Sequence, residues 1–135
     1  MQWLIDMAIE AMEAWFADYG GYHDRGPSVG NDFTEADLTQ DGNWNELDLS
    51  AIVPAGAKAV NLHSTAIDPN IGKAIYMRPA GDTTIIGTCT LRNQVANVSI
   101  GFYVPMSLST GRKIEYKSAA PGYAGVTMKI RGWWF

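Results

Sequence analysis

Strict alternation of apolar and polar residues over 97–104 is the clearest structural signal in the chain. Val98, Ile100, Phe102 and Val104 occupy every second position, with Asn97, Ser99, Gly101 and Tyr103 between them. A period of two is typical of a β-strand with one face on a core. The stretch 95–104 is therefore predicted to be a strand, and Pro105 is expected to end it.

The chain from residue 46 onward alternates between strand-like runs and turn residues. The predicted strands are 47–53, 60–66, 73–78, 84–91, 95–104, 112–117 and 125–134. Turn sequences such as Pro54-Ala55-Gly56 and Asp68-Pro69-Asn70 separate them. About seven or eight short strands without an intervening helix predict a mainly β fold, an antiparallel β-sandwich of jelly-roll-like form.

Residues 2–18 show a helical period instead, and apolar residues cover more than half of the circumference. The polar residues Gln2, Asp6, Glu10 and Glu13 fall on one narrow stripe. The apolar positions of the opposite side are Leu4, Ile5, Ala8, Ile9, Ala11, Met12, Trp15 and Phe16. Such a hydrophobic helix is expected to pack against several neighbours and to end at Gly20-Gly21.

Three environments could bury this helix. The four-three-four spacing of its apolar residues is that of a coiled-coil seam, which favours a bundle with other copies or insertion into a partner. The eight apolar residues are then the predicted oligomer interface. Packing on the chain's own β domain is the simpler alternative. Insertion into a membrane surface is disfavoured because the polar stripe is acidic rather than basic.

Acidic and basic residues are divided between the two parts of the chain. Residues 1–50 hold eleven acids and one base, whereas residues 51–135 hold three acids and nine bases. Opposite charges favour attraction between the two parts, within one protomer or between neighbouring copies. The bases are scattered singly along the predicted strands, which disfavours nucleic acid as a partner.

Length and composition narrow the class of protein. The 135 residues, 47% of them apolar, suffice for one domain with a core and a small appendage. The single cysteine, Cys89, excludes an internal disulfide framework and is expected to be a buried apolar residue. No apolar run is long enough to span a bilayer, and no signal peptide is recognisable. The expected organisation is an apolar helix over 1–20, an acidic Gly/Asp/Asn-rich connector over 21–45 and a β-sandwich over 46–135.

The connector contains two motifs that suggest chemistry. Asp37, Thr39, Asp41, Gly42, Asn45 and Asp48 fall at positions one, three, five, six, nine and twelve of a calcium-binding loop. The favoured alternative is an Asp-Gly turn before a strand, because residues 47–53 do not continue as a helix. Gly26-Pro27-Ser28-Val29-Gly30 matches a hydrolase nucleophile elbow, but that motif requires a strand before it and a helix after it.

The other candidate residues do not suggest a reaction. His23 and His63 lie far apart in sequence, and the acids of the β half are isolated, so no catalytic residue, metal or cofactor is expected. At the C-terminus Trp134 shares the predicted core face with Ile130. Trp133 and Phe135 are then expected to project as a surface contact, either in a subunit interface or against a sugar ring.

Four segments resemble one family of β domains. They are 47–60 (LDLSAIVPAGAKAV), 92–98 (RNQVANV), 112–116 (RKIEY) and 130–134 (IRGWW). The family occurs in structural proteins of tailed bacteriophages and related viral sequences, including fibre and appendage components. The resemblance covers residues 44–135, and no catalytic residue carries over from it.

The resemblance implies a non-enzymatic virion structural protein, either a head or tail appendage, a tail fibre or a capsid decoration subunit. It implies a homo-oligomer, a trimer by the architecture of such parts, in contact with other virion proteins. The protein would be made in the host cytoplasm and located in the virion. The alternative is a carbohydrate-binding, receptor-binding module for host surface glycans, with Trp133, Phe135 and Tyr103 as its stacking platform.

Overall fold

A computed structural model describes residues 1–19, 21–84 and 87–135, and the side chains of these residues except 15–19. One α-helix, one short 3-10 helix (Glu35–Asp37) and nine strands lie within the described ranges. The α-helix and the strands are α1 (Gln2–Tyr19), β1 (Tyr22–Asp24), β2 (Phe33–Thr34), β3 (Trp44–Asp48), β4 (Ala59–Ile67), β5 (Ala74–Pro79), β6 (Cys89–Arg92), β7 (Ile100–Ser107), β8 (Lys113–Ser118) and β9 (Gly125–Trp134). The predicted N-terminal helix is confirmed, and Gly20, its expected end, lies outside the described residues.

The strands form two antiparallel sheets that pack face to face. Sheet A has the order β1-β9-β4-β7, and β2 also pairs with β9; sheet B has the order β3-β8-β5-β6. The chain passes repeatedly between the sheets, so that β3, β4 and β5 lie in sheets B, A and B. This connectivity is jelly-roll-like, and the predicted antiparallel β-sandwich is confirmed.

The hydrophobic core lies between the inner faces of the two sheets. Every second residue of β4 and of β9 is buried over most of their lengths, as a period of two requires. The largest fully buried side chains of the core are Leu49, Leu62, Ile75, Met77, Ile114, Met128 and Ile130. Burial of each such side chain contributes about 1.5–3 kcal/mol to folding.

Strand β7 differs from its predicted bounds at both ends. It begins at Ile100, because Asn97 adopts a left-handed backbone conformation (φ 59°) and residues 95–98 form a turn. It continues past Pro105 to Ser107, with Pro105 opposite Asn61. The prediction that Pro105 ends the strand is wrong because β7 lies at the edge of sheet A, where a missing backbone N–H is tolerated.

Two other predicted strands are shorter than expected. The strand predicted over 47–53 ends at Asp48, and the Leu49 carbonyl then accepts the N–H groups of Ile52 at 3.0 Å and Val53 at 2.8 Å. This turn keeps Leu49 and Val53 in the core. Their apolar character, which suggested a strand, therefore reflects burial in a turn. The strand predicted over 84–91 begins at Cys89, and residues 85 and 86 lie outside the described residues.

The predicted connector over 21–45 contributes two short strands to sheet A. β1 and β2 pair with successive parts of β9. Between them the Arg25 guanidinium donates to Asp32 Oδ2 and to the Ile130 carbonyl, both at 2.7 Å, and Asp32 accepts the Ile130 N–H at 2.8 Å. Leu38 joins the core. The connector prediction is wrong because strands of two or three residues are too short to show a periodic signal.

A β-bulge in β9 reverses the faces of the last residues of the chain. The register against β4 passes from Ile130 directly to Gly132, so that Arg131 is the extra residue. Trp133 therefore packs against the core, and Trp134 faces the outer side of sheet A. The predicted assignment of Trp134 to the core and of Trp133 to the surface is wrong for this reason.

We expect the substitution Gly132→Ala to destabilise the protein by about 1–3 kcal/mol, because an added Cβ would overlap the His23 carbonyl oxygen. The clash would push β1 away from β9. Urea denaturation of the variant measures the loss. Gly30→Ala is the matched control, because no atom lies within 4 Å of a Cβ at that position. Equal stability of the two variants would contradict the close approach of β1.

Candidate functional site

Helix α1 is exposed along the whole of the part whose side chains the structure describes. All side chains from Met1 to Ala14 are exposed. Among them, Trp3 is 63% exposed, Met7 57% and Met12 59%. Over residues 1–14, whose side chains the structure describes, the helix is therefore not buried against its own β domain. A long apolar surface is instead presented to the surroundings.

The predicted interface residues lie on this exposed helix. Leu4, Ile5 and Ile9 are 47%, 48% and 50% exposed, and the side chains of Ala8 and Ala11 are exposed as well. Trp15 and Phe16 belong to α1, but their side chains lie outside the described residues. Trp3 and Met7 extend the apolar surface beyond the predicted set. The sequence could have revealed these two residues, because side chains four positions apart lie on the same side of a helix.

An apolar cleft of about 220 Å³ separates α1 from the end of sheet A. Its wall on the helix includes Ile9 and Met12, and its wall on the sheet includes Trp133 and Phe135. The His23 ring stacks on the Trp133 ring with 4.9 Å between their centroids. Trp133 and Phe135, predicted as surface contacts, thus lie beside the helix.

The proposed stacking platform of Trp133, Phe135 and Tyr103 does not form. Trp133 packs against the core at the end of β9. Tyr103 lies in the edge strand β7, is 60% exposed, and stacks on His63 on the outer face of sheet A. Because the two aromatic side chains lie on opposite faces of sheet A, they cannot contact one sugar ring together.

The predicted calcium ligands are used within the protein to cap turns. Asp41 Oδ1 accepts the N–H of Asn43 at 2.9 Å and the Asn45 side-chain amide at 3.0 Å. Asp37 accepts the N–H of Thr34, and Asp48 the N–H of Ser50, both at 2.9 Å. The hydrogen bond from Asn43, the largest cause, lowers the pKa of Asp41. The arrangement is the Asp-Gly turn leading into a strand. Gly42 lies within the turn, and the Thr39 carbonyl before it accepts the Asn45 side-chain amide at 3.3 Å.

The described residues hold no group of three or more His, Cys, Asp or Glu side chains arranged to bind a metal. The Gly26–Gly30 motif lies in the loop between β1 and β2, so that a strand follows it instead of the helix that a nucleophile elbow requires. Cys89 is half-buried against the core, and burial raises the pKa of its thiol. This environment is that of a packing residue rather than of a reactive thiol.

A scan of protein-family models and a search of curated proteins found no match to this chain. Within the described residues, α1 lacks the combination of length and apolar character that a membrane-crossing helix needs.

Proposed function

We propose that this protein is a non-enzymatic structural subunit of a tailed-bacteriophage virion, present in many copies and assembled through α1. The observation that supports assembly is the exposed apolar surface of the helix. The resemblance of residues 44–135 to β domains of phage structural proteins supports the virion as the place of assembly. A head or tail appendage, a fibre and a capsid decoration are the parts such a subunit would form.

An isolated apolar helix needs a packing partner. Helices shorter than about 12–15 residues are marginal in water, and even longer helices in proteins gain most of their stability from packing an apolar face. Helix α1 has 18 residues and its described part does not pack along either sheet. Association of several helices would bury Leu4, Ile5 and Ile9 against one another. A closed ring of three copies is the trimer that the architecture of such parts suggests.

Charge also favours association between copies. The polar stripe of α1 carries Asp6, Glu10 and Glu13. The two packed sheets, β1 to β9, form what we call the β body. Its part from residue 51 onward has three acids and nine bases. Long-range attraction between acidic helices and basic bodies would raise the rate of assembly at low ionic strength.

The test compares the mass in solution of the full chain with that of a shortened chain beginning at Gly21. This start removes α1 and keeps β1 and β2, which pair with β9 in sheet A. We expect an oligomer for the full chain and a folded monomer for the shortened one, measured by light scattering. An equal number of copies per particle in the two proteins would contradict assembly through α1. Peptides of the chain should also be detected by mass spectrometry in purified virions.

A further inference from the structure

Four side chains form a row across the outer face of sheet B. Trp44 of β3 lies opposite Lys117 of β8, Lys117 lies opposite Tyr76 of β5, and Tyr76 lies opposite Thr90 of β6. The residues next to them in β5 and β8, Met77 and Tyr116 among others, are buried. Because neighbouring residues of a strand point to opposite faces, this row faces outward.

The row lies at the base of a groove. A cavity of about 380 Å³ is lined by all four of these residues, by Arg78 and by the three further threonines Thr83, Thr84 and Thr88. A second cavity, of about 190 Å³, shares Tyr76 and Lys117 with the first and adds Arg92. The two cavities therefore adjoin at Lys117. Ligand sites for small molecules typically occupy about 300–1,000 Å³.

The positive charges of the groove differ in whether they are already paired. The Arg78 guanidinium lies 3.7 Å from the centre of the Trp44 ring and donates to Glu115 at 2.7 Å. Arg92 donates to the Gly72 carbonyl at 3.1 Å and to Tyr76 Oη at 3.3 Å. Lys117 Nζ lies 6.0 Å from the centre of the Tyr76 ring. Among the described residues no carboxylate lies within ion-pair distance of Lys117.

We propose that this groove binds an acidic glycan, through a sugar residue that carries a carboxylate. The Trp44 and Tyr76 rings supply apolar surface for the C–H groups of a sugar ring. The threonine hydroxyls can donate to and accept from sugar hydroxyls. The Lys117 ammonium, placed between the two aromatic residues, supplies a charge-assisted hydrogen bond to the carboxylate. The second cavity extends the groove for the neighbouring sugar of the chain.

The charges around the groove favour a glycan over a nucleic acid. Binding of nucleic acid depends on several cations that follow successive phosphates. Here Glu46 and Glu115 occupy the next row of the same face. Arg92 also lacks an ion pair with another described residue, but its guanidinium is held by the Gly72 carbonyl and Tyr76 Oη. The Lys117 ammonium between aromatic rings therefore fits one carboxylate per ligand.

The groove is formed by the β body alone, so glycan binding does not depend on the proposed assembly through α1. If the protein both binds glycans and assembles through α1, several grooves of one oligomer would bind one glycan-bearing surface together. Avidity would then strengthen the weak binding at each groove. Absence of glycan binding by the wild-type protein, when that protein forms its oligomer, would refute the glycan site and leave the assembly proposal standing.

The test is calorimetric titration of the full chain with sialyllactose, with a tetrasaccharide of alternating glucuronate and N-acetylglucosamine, and with lactose as the neutral partner of sialyllactose. We expect at least one acidic glycan to bind roughly tenfold or more tightly than lactose, because a charge-assisted hydrogen bond has that effect. An oligothymidylate is titrated in the same way as a probe for nucleic acid. Equal binding of lactose, absence of binding by both acidic glycans, or tighter binding of the oligothymidylate would overturn the proposal.

Substitutions locate the site. Lys117→Gln should weaken binding of the acidic glycan roughly tenfold, and Lys117→Arg should retain it, because the charge is kept. Lys129→Gln is the matched control: Lys129 also lies on an outer face, opposite His63 in sheet A, and has no ion pair with another described residue. Wild-type affinity in Lys117→Gln, or an equal loss in Lys129→Gln, would place the site elsewhere.

Discussion

Replacing both Ile5 and Ile9 by glutamate is expected to convert the oligomer into folded monomers. The two side chains are 48% and 50% exposed in the single chain, and assembly through α1 would bury them. Full burial of an exposed isoleucine contributes about 1.5–3 kcal/mol, and assembly would bury the remaining half of each side chain, so that losing both costs about 1.5–3 kcal/mol per protomer. That loss alone weakens association by about tenfold or more. Burial of the introduced carboxylates would weaken it further.

Light scattering over a range of protein concentrations measures this effect, and circular dichroism reports whether the β body stays folded. Glu10→Gln is the matched control, since Glu10 lies on the acidic stripe of the same helix and contributes little apolar area. We expect the control to retain the mass of the wild type. An Ile5→Glu, Ile9→Glu variant that also retains this mass would show that α1 is not the interface.

The second large effect is expected at Asp68, whose side chain is buried at the turn between β4 and β5. Its carboxylate accepts hydrogen bonds from Lys73 Nζ at 2.9 Å, from the Asn70 N–H at 2.8 Å and from the Ala124 N–H at 2.9 Å. The contact with Ala124 joins this turn to the segment before β9. Asp68→Asn would remove the negative charge beside Lys73 and leave one carboxylate acceptor without a replacement. We therefore expect a clearly lower thermal midpoint near neutral pH.

The loss caused by Asp68→Asn should depend on pH in a defined direction. The hydrogen bond from Lys73 is the largest cause that lowers the pKa of Asp68 to about 2, and the Asn70 and Ala124 N–H groups add to it. The pKa in the unfolded chain is about 3.9. A lowered pKa in the folded state stabilises the protein above the unfolded value, and this contribution is lost as the pH falls through about 2.

Urea denaturation of the wild type and of Asp68→Asn near pH 7 and near pH 2 measures this dependence. The difference in stability should be large at the higher pH and should shrink at the lower one. Asp24→Asn is the control, because Asp24 is half-exposed and lies 3.9 Å from Arg131 in a surface pair of little expected value. A difference that is the same at both pH values would assign the effect to packing instead of charge.

The amino-acid sequence by itself determined the elements whose signal repeats over many residues. The apolar circumference of 2–18 predicted α1, and the alternation over 60–66 and 125–134 predicted β4 and β9 almost to their ends. Turn residues between such runs were enough to predict an antiparallel sandwich. These predictions succeed because burial of every second side chain, or of one helix face, is imposed locally by backbone geometry.

Tertiary structure alone decided the features that depend on distant pairing. The two short strands β1 and β2 exist because β9 offers them backbone partners, and Pro105 is tolerated because β7 happens to be an edge. The row that contains Lys117 combines residues from four strands that are far apart in sequence. The bulge at Arg131 decided which tryptophan enters the core, since one extra residue in a ladder moves every later side chain to the opposite face.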